Sequence, residues 1–170
     1  IDTNKKSFKN LKHILKPKII EKLKNKKINK IIFTGMGSCH TASVVISDYL
    51  SKCLFSASIN HIQVEATVAS EGSGFHLSEN MNDTIVVIIA QSGTTIDTNV
   101  FARLAKNRGA HTIALVNKKD GDVTFIVENN LYLGNGRDIE MSVPSTKTYT
   151  CHLVLGFIFS EQILSIYSKK

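Results

Sequence analysis

The sequence predicts an α/β fold: a flavodoxin-like three-layer sandwich in which helices cover both faces of a mostly parallel, five-stranded sheet. Three observations predict it. The runs KIIFT (30–34), TIVVIIA (84–90) and HTIALVN (111–117) are continuously apolar rather than alternating, as strands buried on both faces must be. Segments with helical spacing lie between them, and strand–helix alternation implies a parallel sheet with crossover helices. A chain of 170 residues, 42% hydrophobic and 21% charged, suits one domain with a substantial core.

Taken in order, residues 1–29 form a lysine-rich helical segment, interrupted or restarted at Pro17, with Phe8, Leu11, Leu15, Ile19 and Leu23 turned inward. The main domain is expected over 30–170, starting with the strand KIIFT. Residues 39–54 have helical period, with Ala42, Val45, Ile46, Tyr49, Leu50 and Cys53 on one face. SINHIQVEA, near 58–66, reads as the second strand, and ASEGSGFHLSEN as irregular chain before TIVVIIA. Residues 95–108 form a helix with Ile96, Val100 and Leu104 inward and Gly109 placed to end it. HTIALVN is the fourth strand and NLYLG, at 130–134, a short fifth. A long apolar helix from about 146 to 167 closes the order.

The net charge of +7 is a local property. Residues 1–30 hold eleven lysines and two acidic groups, a net +9, whereas the other 140 residues hold ten basic and twelve acidic groups, a net −2. That segment has no arginine to fork onto phosphates and no aromatic beyond Phe8, so a solvated helix face is expected, with no nucleic-acid contact. The longest apolar stretch, LVLGFIF, stops at Ser160-Glu161, and no apolar signal core stands near the lysines; no membrane partner is expected. Cys39, Cys53 and Cys151 lack metal-type spacing and read as reduced thiols of a cytoplasmic protein. No metal or cofactor is expected.

Chemistry concentrates where strands end. Gly35-Met36-Gly37-Ser38-Cys39 opens a helix but lacks the third glycine of a dinucleotide loop, and Glu65 lies 28 residues beyond Gly37. What remains is a glycine loop that lets small donors approach a ligand at a helix start. AQSGTTIDT (90–98) places Gln91, Ser92, Thr94 and Thr95 around Gly93, where backbone N–H groups lack helical partners. One hydroxyl is a routine cap worth about 1 kcal/mol. Four polar positions exceed that need, and a phosphate could use several, each bond contributing about 1.5–3 kcal/mol. EMSVPSTKTYT (140–150) adds Glu140, hydroxyls and Lys147. Glu71, Glu140, His40 and His76 are the candidate bases within the chain; Glu140 reads plainly as an exposed loop acid and His40 as a polar helix position facing a neighbouring segment.

Together, GMGSCHTA, VASEG, IAQSGTTIDT, AKNRGAHTIALVN and EMSVPSTK resemble the sugar isomerase (SIS) domain family from about residue 30 onward. The glutamine before the serine-glycine loop, the following Asp-Thr and the Ser-Thr-Lys are similar to the first SIS domain of the glutamine:fructose-6-phosphate amidotransferase group. The resemblance implies a sugar-phosphate site, for fructose 6-phosphate or glucosamine 6-phosphate, made by Ser38, Cys39, Gln91, Ser92, Thr95, Val143 (through its carbonyl) and Ser145. It also implies departures. Cys39 stands where the family has a phosphate-binding serine, Ala90 replaces a second serine, and Met36 replaces a cysteine.

In the amidotransferase group, two such domains stand in tandem. The glutamate, lysine and ring-opening histidine of the isomerase chemistry come from the second domain, its tail and a neighbouring subunit. The expectation is therefore one phosphosugar-binding half of an isomerase region, inactive by itself, paired with a second SIS domain or with another copy. A sugar-phosphate sensor domain of a transcription regulator is the alternative.

Overall fold

TIVVIIA forms the central strand of the sheet, and none of its seven residues is more than 5% exposed. The computed structural model describes residues 15–75, 77–133 and 146–168. The elements in chain order are α1 (Pro17–Lys24), β1 (Lys30–Gly35), α2 (Ser38–Ser56), β2 (Gln63–Val68), α3 (Ala69–Phe75), β3 (Thr84–Ala90), α4 (Ile96–Asn107), β4 (His111–Val116), α5 (Val123–Ile126), β5 (Asn129–Tyr132) and α6 (Thr146–Ser168). Among the described residues all four strand pairings are parallel, in the order β2-β1-β3-β4-β5. This is the flavodoxin-like order expected from the alternation.

The two-residue period of a strand divides the core into two layers. Ile31, Phe33, Ile85, Val87, Ile89, Ile113 and Leu115 face α1, α2 and α6. Ile32, Val86, Ile88, Ala90, Ala114 and Val116 face α3, α4 and α5. Pro17 opens α1 at the one turn where a missing N–H costs nothing. Leu15, Ile19 and Leu23 of this region are buried, and Lys22 Nζ donates to the Asn82 carbonyl at 2.7 Å. Phe8 and Leu11 lie outside the described residues. α6 is long and apolar enough, by length and composition, to cross a membrane. Its buried Leu155, Phe159 and Ile163 lie in the sheet core, the position of a core helix.

Several expectations need correction. The second strand begins at Gln63 rather than near 58, because Ala57–Ile62 are used to turn the chain out of α2. The stretch expected to be irregular contains α3, and α5 was not foreseen at all. The inward face of α4 is Thr98, Phe101, Ala102 and Ala105; Ile96 and Val100 point outward, at 77% and 43% exposure, and Leu104 is half-buried. On α2, Ala42, Ile46 and Leu50 are buried as expected, but Val45 is 37% exposed and Tyr49 and Cys53 are half-buried. There the face turns toward Ser43, Ser47 and Leu54, and the Ser43 and Ser47 hydroxyls donate to the helix carbonyls of Cys39 and Val44 respectively.

Candidate functional site

β1 and β3 are neighbours, with Thr34 opposite Ile88, yet the chain leaves them in opposite directions, toward β2 and toward β4. In an open α/β sheet this reversal leaves a crevice beyond the strand ends, where ligands bind. α2 starts on one face of that crevice and α4 on the other. Each helix N-terminus carries roughly half a positive charge and unpaired N–H groups, so the crevice favours an anion.

The first wall is Gly35–Cys39. Gly37 precedes α2 at φ +56, ψ −128, a conformation open to glycine, which turns the strand sharply into the helix. Ser38 follows, half-buried, and Cys39 is buried beneath it. Burial pushes the Cys39 thiol up to about 11, while a hydrogen bond from the Gln91 backbone partly offsets this. The thiol is therefore neutral at physiological pH and is no nucleophile. It does, however, join the first loop to the second through the Gln91 backbone.

The second wall is Gln91–Thr95. Thr95 occupies the N-cap position of α4, but its hydroxyl makes no cap hydrogen bond. The Ser92 hydroxyl lies 2.9 Å from that of Thr94 and accepts the Thr94 N–H at 3.3 Å. Gln91 and Ser92 are half-buried, and Thr94 and Thr95 are exposed. Hydroxyls at a helix start whose ordinary capping role is unfilled can act as donors to a bound anion. Asp97, in the first turn of α4, is exposed and would counter part of the helix charge.

The loop is held from beneath by residues that local spacing could not reveal. The Lys118 N–H donates to the Gln91 carbonyl at 3.3 Å and the Val123 N–H to the Gly93 carbonyl at 2.9 Å. A side chain on Gly121 would come within 2.3 Å of the Ser92 carbonyl oxygen, so only glycine allows this approach. Thr124 Oγ1 donates to the Gly121 carbonyl at 2.7 Å and to that of Lys119 at 3.1 Å, fixing the supporting turn. The one signal in the sequence was the Asp-Gly-Asp following the fourth strand.

The other candidates are dispersed. Val143, Ser145 and Glu140 lie outside the described residues, as does His76. Glu71 is exposed on the first turn of α3. His40 is half-buried near the start of α2, and its Nδ1 finds no partner among the described residues. His111 sits at the opposite end of the sheet, beginning β4, with Nδ1 3.4 Å from Glu128 Oε2. Among the described residues no group of His, Cys, Asp and Glu could hold a metal ion.

The SIS domain profile matches residues 22–159. The chain is 33% identical over 143 residues to a glutamine–fructose-6-phosphate aminotransferase (isomerizing) of Clostridium tetani, covering 83% of this chain. It is 32% identical over 147 residues to the enzyme of the same name from Pyrococcus horikoshii, covering 86% of this chain. The chain spans only 22% and 23% of the length of those relatives. The C-terminal domain of glucosamine-fructose-6-phosphate aminotransferase from Francisella tularensis superposes with a TM-score of 0.73 at 20% identity, over 95% of this chain and 44% of that one. This last likeness is one of fold.

Proposed function

The chain belongs to the SIS domain family, and we propose that it binds a sugar phosphate, fructose 6-phosphate or glucosamine 6-phosphate, as one half of an isomerase region like that of the aminotransferases it resembles. The phosphate is received by Ser92, Thr95 and Gln91 at the start of α4, with Ser38 and Cys39 across the crevice and Val143 and Ser145 toward the sugar. The observation that carries this reading is the Thr95 hydroxyl, which stands at the cap position without capping. Beside it, the Ser92 and Thr94 hydroxyls turn toward each other rather than into the helix. Both helix ends supply electrostatic support of roughly 0.3–1 kcal/mol each.

In this reading the protein is cytoplasmic and pairs with a second SIS domain or a second copy. The base for moving a proton between C1 and C2 comes from that partner, as the likeness to the amidotransferase group implies; Glu71 is exposed on the first turn of α3. The alternative of a sensor domain in a transcription regulator draws no specific support from the relatives described above.

Calorimetric titration with fructose 6-phosphate and glucosamine 6-phosphate tests the assignment. Thr95→Ala should weaken binding roughly tenfold or more, one decade per about 1.4 kcal/mol. Its stability should fall by less than the about 1 kcal/mol that loss of a working cap costs. Unchanged affinity would return the loop to ordinary turn chemistry.

A further inference from the structure

We infer that Asn99 is a positioning residue for the anion loop, holding Ser92 and Thr94 in place from behind; its link to ligand affinity rests on the sugar-phosphate reading above. Asn99 lies near the start of α4 and is only 7% exposed. Its side-chain NH2 donates to the Gly93 carbonyl at 3.3 Å, and the same carbonyl accepts the Val123 N–H at 2.9 Å. Two donors on one carbonyl fix the plane of the Gly93–Thr94 peptide, because the peptide unit is planar. In a trans peptide the N–H points opposite to the C=O, so the Thr94 N–H is aimed by the anchors behind it. That N–H reaches the Ser92 hydroxyl oxygen at 3.3 Å, and this oxygen lies 2.9 Å from the Thr94 hydroxyl. A buried amide thus orients two hydroxyls at the mouth of the crevice.

Two further observations support the assignment. Gly93 sits at φ +74 and has no side chain to restrain it, so its order must come from neighbours. The Asn99 Oδ1 is buried without a partner among the described residues, and an orphaned acceptor of this kind weakens a fold. Leucine would fill a similar space without it. The asparagine is thus costly for packing, and its side-chain NH2 donates to the loop.

The test uses Asn99→Leu and, should that variant fold poorly, Asn99→Ala, with three measurements. These are urea unfolding, hydrogen exchange of the Thr94 amide by NMR without ligand, and calorimetric titration with fructose 6-phosphate. We expect Asn99→Leu to keep or raise stability, while the Thr94 amide exchanges roughly tenfold faster and sugar-phosphate affinity falls roughly tenfold. An asparagine serving only the core would instead lower stability and leave the loop and its affinity as in the wild type. Unchanged Thr94 exchange in a folded variant overturns the inference. If wild type binds no sugar phosphate but Thr94 exchange rises in the variant, the positioning role stands and the ligand reading falls.

Discussion

Cys39 carries the sharpest consequence at the scale of one residue. Its thiol meets the Gln91 backbone between the two loops, yet a thiol donates weakly where a hydroxyl would donate well. Cys39→Ser should therefore tighten binding of fructose 6-phosphate by roughly tenfold, since one bond to a charged acceptor is worth about 1.5–3 kcal/mol. The same change should lower stability by about 1 kcal/mol, because the hydroxyl is buried when no ligand is present. Calorimetry and urea unfolding measure the two effects separately, and an unchanged Kd would place this position away from the phosphate. His111, remote from the crevice, should make stability depend on pH. Burial holds its imidazole below the ordinary 6.5, helped by Lys22 and opposed by Glu128. The unfolded chain then takes up this proton first, so stability is full above about 6.5 and declines as pH falls through the window below it. Urea unfolding at pH 7.5 and 5.5 should show a smaller pH loss in His111→Gln than in wild type. An equal loss in both would assign the acid sensitivity to carboxylates.

At the scale of elements, α2 and α6 are packed so closely that Gly156 faces Ile46 directly. A Cβ on Gly156 would lie 2.3 Å from Ile46 Cδ1, 2.5 Å from Cγ1 and 2.9 Å from Cγ2, so no single rotation clears it. Overpacking of this kind costs about 1–3 kcal/mol, against the roughly 1 kcal/mol that alanine gains over glycine within a helix. Gly156→Ala should then lose about 1 kcal/mol in urea unfolding, with part of the loss recovered by adding Ile46→Val. Stabilisation by Gly156→Ala alone would mean that the helices can separate at no cost. Phe33 and Phe159 stack edge-on at 6.1 Å in the same layer, and the Tyr49 hydroxyl donates to Glu161 at 2.7 Å on its outer edge. The contact of α2 with α6 thus has an apolar crossing at Gly156 and Ile46 and an exposed hydrogen bond between Tyr49 and Glu161.

For the whole molecule, the outer flank of α6 matters most. Val154, Phe157 and Ile158 are only half-buried, and Val45 of α2 is 37% exposed. Paired SIS domains would cover such a surface, so we expect sedimentation to show a dimer, and Val154→Asp to shift it toward monomer. A wild-type monomer at micromolar concentration would remove this expectation. We also expect the chain to bind glucosamine 6-phosphate without exchanging its C2 proton with solvent. Exchange that is abolished by Glu71→Gln would place the base within these residues after all.

How much of this was legible in the sequence depended on how local the cause was. β1, β3 and β4 were readable because burial on both faces demands unbroken apolar runs, and the parallel order followed from the alternation. The cluster of hydroxyls around Gly93 was readable because helix starts have defined chemical needs. The face of α4 was not. Ile96 and Val100 have the right spacing for a core stripe, but Phe101 with small Thr98, Ala102 and Ala105 fits the narrow space against the sheet. α3 was hidden because glycine and serine favour turns; only contact with α4 reveals that Gly72 is needed where Phe101 approaches. The sequence by itself thus determined β1, β3 and β4, the parallel sheet and the two loops that wall the crevice, whose signals lie in residues close along the chain. Tertiary structure alone decided that Cys39 meets Gln91 and that Gly121 and Asn99 brace the loop around Gly93, because those contacts join residues that only the folded sheet brings together.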